Sequence, residues 1–98
     1  MYEIRRTETF SKWLDKLRDA RARVRVLSRL TRAEDGNLGD TKPVGESVSE
    51  MRIDYRPGYR VYFTKRRKTI IVLLIGGNKS SQEQDIKRAI QLARDLED

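Results

Sequence analysis

The sequence predicts an α+β domain with its elements in the order β-α-α-β-β-β-α. Three observations carry this. Apolar residues recur at spacings of three and four in two stretches of the first third and again near the C-terminus, as in amphipathic helices. Between residues 47 and 75, three runs rich in β-branched and aromatic residues are separated by short turns, which gives an antiparallel meander. The chain has 98 residues, enough for one modest core and too few for two, so residues 1–98 are read as a single domain.

Residues 2–5 alternate and form a short strand with Tyr2 and Ile4 inward. Thr7 or Thr9 caps a first helix whose apolar face is Phe10, Trp13, Leu14 and Leu17. Trp13 lies in the middle of that stripe and belongs to the core. A second helix runs over about residues 20–33, with Val24, Val26, Leu27 and Leu30 toward the core. On the opposite side Arg18, Arg21, Arg25, Arg29 and Arg32 follow one another at three or four residues, so their guanidiniums form one stripe. The structural alternative is a solvated face relieved by Asp15 and Asp19. Five arginines without a lysine favour phosphate contact, because the planar fork binds two oxygens at once.

Residues 36–45 read as a turn-rich, exposed connector. Strands follow at 47–55, 59–65 and 69–75, joined by Pro57-Gly58 and by Lys65-Arg66-Arg67-Lys68. The run from Ile70 to Ile75 does not alternate, which predicts a central strand covered on both faces. Gly76-Gly77 ends it. Ser80 or Ser81 then caps a last helix, with Glu83 or Gln84 completing a capping box. Its buried stripe is Ile86, Ala89, Ile90, Ala93 and Leu96.

Period-two alternation places Glu50, Arg52 and Asp54 on one face of the first long strand and Met51, Ile53 and Tyr55 on the other. In the next strand Arg60, Tyr62 and Thr64 oppose Tyr59, Val61 and Phe63. One face of the sheet therefore gathers a carboxylate, two guanidiniums and a phenol, and Lys79 arrives at the end of the third strand. Glu50 and Arg52 pairing across strands with Arg60 is the ordinary fate of such charges. The functional reading is scission of RNA by its own 2′-hydroxyl, which needs a base, cations for the crowded phosphate and an acid. Arginine and lysine supply that positive charge without a metal. Glu50 is the carboxylate placed as a base, and Tyr62 stacks a nucleobase while Arg60 holds the adjacent phosphate. The run Gly76-Gly77-Asn78-Lys79-Ser80 lacks the spacing of a nucleotide-binding phosphate loop.

Composition limits the chemistry further. The chain contains neither histidine nor cysteine, so zinc sites built on those residues, disulfides and histidine acid–base pairs are excluded. No metal and no cofactor are expected. The net charge of +7 is concentrated: residues 1–32 and 50–79 each carry +6, while 33–49 and 80–98 are acidic. Clustered positive charge favours a polyanionic partner. No stretch reaches the roughly 20 apolar residues of a membrane span, and the start lacks the apolar core of a signal peptide. The expectation is a cytoplasmic protein without membrane association.

The run Glu50-x-Arg52-Ile53, then Pro57-Gly58-Tyr59-Arg60-Val61-Tyr62-Phe63, then Leu73-Leu74-x-Gly76-Gly77-x-Lys79-Ser80-Ser81-Gln82 and Asp85-Ile86-x-x-Ala89 resembles the RelE/ParE toxin superfamily. It is most similar to the HigB-like branch of addiction-module killer proteins. Gly39-Asp40-x-Lys42-Pro43 extends the likeness over nearly the full length. The resemblance implies a small twisted antiparallel sheet with two N-terminal helices. It also implies the toxin of a type II toxin–antitoxin system, neutralised by a helix-turn-helix antitoxin, and a ribosome-dependent endoribonuclease that cuts mRNA. In that frame Arg60, Lys79 and Arg52 match the basic residues at the catalytic site. RelE carries a second basic residue where Glu50 stands and a tyrosine near where Asp85 stands, which leaves the acid and base unassigned. Two other readings share the fold class: a ParE-like gyrase poison acting by binding, and a basic RNA-binding module without activity.

Overall fold

In the computed structural model, which describes residues 1–96, the expected helices and strands form and one strand is added. The order is β1 (Glu3–Arg6), α1 (Glu8–Lys16), α2 (Ala20–Glu34), β2 (Thr41–Gly45), β3 (Val48–Ile53), β4 (Tyr59–Arg66), β5 (Ile70–Asn78), a 3-10 turn (Lys79–Ser81) and α3 (Gln82–Arg94). The added strand is β2, inside the stretch read as a connector. It lies at the edge of the sheet against β3, and Pro43 is tolerated there because an edge strand leaves one side of its backbone unpaired.

The five strands are arranged β1-β5-β4-β3-β2. The β3-β4-β5 meander is antiparallel as expected, but β1 runs parallel to β5, so the sheet is mixed and not purely antiparallel. The middle position belongs to β4, with β5 between it and β1. Strand β5 is nonetheless covered on both faces. Ile71 and Leu73 join the core under α1 and α2, while Val72 and Leu74 join a second core under α3. A bulge explains the missing alternation at the end of this strand: Tyr62 pairs with Ile75 and Phe63 with Leu73, which leaves Leu74 without a partner in register. Thr7 pins the bulge. Its hydroxyl donates toward the Leu73 and Leu74 carbonyls at 2.9 Å, and the same oxygen accepts from the Phe10 N–H to start α1.

Gly76 and Gly77, expected to end the strand, lie within β5, which continues to Asn78, and they admit side chains from neighbouring elements. A Cβ on Gly76 would overlap the Trp13 indole, and one on Gly77 would overlap the Asp85 carboxylate. The Ser81 hydroxyl donates to Asp85 at 2.5 Å instead of capping α3. The capping box expected at Ser80 or Ser81 lies one turn earlier, where Asn78 accepts from the Ser80 N–H at 2.9 Å and starts the 3-10 turn.

Helix α2 departs most from its expected facing. Its buried stripe is Ala22, Val26, Arg29, Leu30 and Ala33, while Val24 and Leu27 are 65% and 39% exposed. The helix is turned so that Arg29, which the pattern places on the polar stripe opposite the core, enters the packed face.

A basic cleft as candidate functional site

The short β3–β4 connection and the end of β5 bring three basic residues together. Arg52 and Arg60 stand directly opposite each other in the β3–β4 register. Gly58, at φ +96°, turns the chain between them in a conformation that favours glycine. Its carbonyl accepts the Lys79 N–H at 2.9 Å. A Cβ at Gly58 would lie 3.8 Å from both Arg60 Nη1 and Lys79 Cβ, so these two basic residues flank one turn. Together with Arg52 they line an open cleft of about 510 Å³, whose walls also include Asp40, Tyr55 and Tyr59.

Like charges facing each other across two strands repel, and two carboxylates relieve this pair separately. Asp40 Oδ1 accepts from Arg52 Nη2 at 2.7 Å at the surface. Glu50 Oε2 lies 3.5 Å from Arg60 Nε in the interior. The hydrogen bond from Arg52, reinforced by the charges of Arg52, Arg29 and Arg60, holds the Asp40 carboxyl below the usual range. Asp40 therefore stays ionised. Its contribution to the folded state is intact above about pH 4 and fades as the pH falls through its lowered value.

Two of the expected site residues lie elsewhere. Glu50 is 1% exposed and Tyr62 is fully buried, both beneath α3. The alternation is correct, since both do share a face with Arg60, but α3 packs over that face and leaves only its outer end open. Glu50 accepts from Gln82 Nε2 of α3 at 2.9 Å and backs Arg60, outside the walls of the cleft. It is a buried counter-ion and is not presented as a base to a substrate. Burial and the neighbouring Glu50 and Asp85 charges push the Tyr62 pKa far up, so its phenol stays protonated within the second core. It offers no face to a nucleobase.

The arginine stripe divides in the same way. Arg18, Arg21, Arg25 and Arg32 are exposed. Arg29 is buried, and it donates from Nη1 to the Arg52 carbonyl at 2.5 Å and from Nη2 to the Leu38 carbonyl at 3.0 Å. It ties α2 to the Asp40 loop, and Gly39 at φ +66° leaves room for its guanidinium. Burial and the nearby Arg32 lower its pKa. Arg29 thus braces the cleft wall and is not available to an outside phosphate.

Two residues that the strand pattern did not single out belong to the cleft. Asp40 is the carboxylate of its wall that pairs with Arg52. Tyr55 is an aromatic of its wall, with the Arg25 guanidinium carbon 4.9 Å from the ring centroid and the Tyr59 ring, also in the wall, nearly parallel at 6.5 Å. The clue in the sequence is the pair of tyrosines flanking the turn. Alternation assigns both to the core side, where Tyr59 is buried and Tyr55 packs against the cluster while also lining the cleft. Among the described residues no group of three or more His, Cys, Asp or Glu side chains is placed to hold a metal ion, and no helix is long and apolar enough to cross a membrane.

A Haemophilus influenzae protein described as uncharacterized is 44% identical over 94 residues, covering 96% of this chain and 95% of its own length. Residues 12–97 match the family model of Gp49-like phage-derived proteins (DUF891), a span that takes in both helical layers, the meander and every wall of the cleft. The chain belongs to the Gp49-like family.

Proposed function

We propose that this protein is the toxin of a type II toxin–antitoxin module and that it cleaves mRNA on the ribosome. The Gp49-like family is related to the HigB-like addiction-module toxins, which supports the toxin reading. The observation that carries the nuclease reading is the convergence of Arg52, Arg60 and Lys79 on one open cleft beside Asp40. In the proposed reaction a 2′-oxygen attacks the adjacent phosphorus while its proton leaves. The bond from phosphorus to the 5′-oxygen breaks, and that oxygen takes up a proton. The products are a 2′,3′-cyclic phosphate and a 5′-hydroxyl. Arg60 and Lys79 stabilise the charge on the phosphoryl oxygens, with Arg52 in support. Glu50, held by Gln82, orients Arg60 from behind. Asp40 takes over the part that the strand pattern gave to Glu50, accepting the hydroxyl proton. The exposed arginines of α2 dock on ribosomal RNA.

Inducing the chain in bacteria and mapping mRNA ends by primer extension tests this reading: growth arrest with codon-linked new ends is expected, and arrest without new ends would count against it. Asp40 supplies a second test because it plays two opposed parts. Asp40→Asn removes an anion that competes with phosphate for Arg52, so RNA should bind several-fold more tightly. The same change removes the proton acceptor, so the cleavage rate at saturation should fall about 10²-fold or more. Binding and single-turnover assays on one preparation separate the two effects.

The antitoxin reading has a surface of its own. Val24 and Leu27 are exposed on α2 beside Arg21 and Arg25. An acidic amphipathic helix suits that combination, with apolar contacts at Val24 and Leu27 and carboxylates on the arginines. Leu27→Asp should weaken capture of the partner encoded alongside by at least tenfold without changing growth arrest in its absence. Unchanged capture would place the antitoxin elsewhere.

A further inference from the structure

We propose that Tyr55 is the stacking platform for a nucleobase of single-stranded RNA lying in the cleft, and that Arg25 is the positioning residue that fixes its ring. This rests on the RNA reading above and assigns the base subsite that reading lacks once Tyr62 is found buried. Tyr55 is half-buried and lines the same cleft as Arg52, Arg60 and Lys79. It ends a row of rings that runs out of the core: Trp13 meets Tyr59 edge-on at 6.5 Å, and Tyr59 lies 22° from parallel to Tyr55 at 6.5 Å. Trp13 is itself held against Gly76. From α2, the Arg25 guanidinium sits 4.9 Å above the Tyr55 ring, within cation–π range.

The combination has a chemical meaning. Arg25 covers one face of the Tyr55 ring, so the base settles on the opposite one. A ring braced by Tyr59 and by a guanidinium loses little freedom when it does, so more of the stacking energy appears as affinity. An aromatic surface beside a row of cations is the arrangement that tracks a single strand, with phosphates on the cations and a base on the ring. Tyr55 also connects the cleft to α2 through Arg25, so one continuous surface joins the reacting phosphate to the exposed arginine stripe. Tyr55 packs against the core through Tyr59 and also opens into the cleft lined by Arg52, Arg56, Arg60 and Lys79.

The test uses a short 2′-O-methyl RNA, which cannot be cut, and an abasic oligomer of the same length. Their binding to the intact protein is followed by fluorescence anisotropy at low and high salt. The base-bearing strand should bind about tenfold more tightly than the abasic one. Salt should weaken both while preserving that ratio, since stacking is not screened as phosphate contacts are. Tyr55→Phe should keep the ratio, and Tyr55→Leu, which preserves apolar packing, should bring it to about one. Arg25→Ala should lower it by about threefold, with Arg25→Lys restoring it. Equal binding of the two oligomers, or an unchanged ratio in Tyr55→Leu, would overturn the stacking role and leave phosphate binding standing. Failure of both oligomers to bind at low salt would overturn the base subsite and the RNA reading together.

Discussion

Replacing Arg60 with alanine is expected to abolish growth arrest and to lower stability in the same stroke. The activity loss follows from position: Arg60 flanks the Gly58 turn beside Lys79, where its guanidinium meets the phosphoryl oxygens as their charge grows. Removing one such donor costs about 10²- to 10³-fold in the chemical step. The stability loss has a separate origin. Glu50 is 1% exposed and would keep Gln82 but lose the cation that balances its charge. Stranding one member of a buried pair costs about 3 kcal/mol. The two effects separate in the double variant Arg60→Ala/Glu50→Gln, which removes both charges of that pair. Urea unfolding should show much of the stability restored, while single-turnover cleavage stays as low as in the single variant. Recovery of cleavage in the double variant would mean that Arg60 serves only to neutralise Glu50.

Gly76→Ala is expected to be the most damaging single-carbon change in the protein. The added methyl group would fall inside the Trp13 indole. That partly buried ring packs against Phe10 at 5.7 Å and Tyr59 at 6.5 Å, so it cannot shift without disturbing the core. Moving it displaces α1 or opens the row of rings toward the cleft. Overpacking of this kind costs about 3 kcal/mol, a large share of the total for a domain of this size. The midpoint of thermal unfolding should fall by about 15 °C. Trp13→Leu in the Gly76→Ala background should recover part of the loss, because the smaller side chain vacates the contested space. Full additivity of the two changes would show that the indole is not the obstacle.

The meander and its site-bearing ends were legible because their signals are local. Pro57-Gly58 and the basic tip set the turns, and period two put Arg52 and Arg60 on one face. Gly76-Gly77, by contrast, do not end β5, which pairs with β4 through both glycines and runs to Asn78, directly ahead of Lys79. What covers that face is a tertiary matter. The apolar stripe of α3 was visible, but nothing in the spacing of Glu50 or Tyr62 announced that α3 would lie over them and leave only Arg52 and Arg60 at the rim. The same holds for Arg29. Its place in a row of arginines reads as solvated, and only the carbonyls of Leu38 and Arg52, brought together by the fold, make burial acceptable. Strand β2 was hidden by Pro43 and Gly45, residues that an edge strand tolerates and an inner strand does not. Alternation puts Tyr55 on the core side, where it does pack against the cluster, and its position two residues past the end of β3 lets it also reach Arg25 and the cleft.

The central claim is that the Arg52, Arg60 and Lys79 cleft performs chemistry on RNA. It is tested most directly by adding purified protein to ribosomes stalled on a defined mRNA and analysing the ends of the products. The account predicts cleavage within the codon exposed on the ribosome, leaving a 2′,3′-cyclic phosphate and a 5′-hydroxyl, with at least a hundredfold loss in Arg60→Ala/Glu50→Gln. Intact mRNA from a preparation that still arrests growth, or cleavage that survives in that double variant, would contradict it.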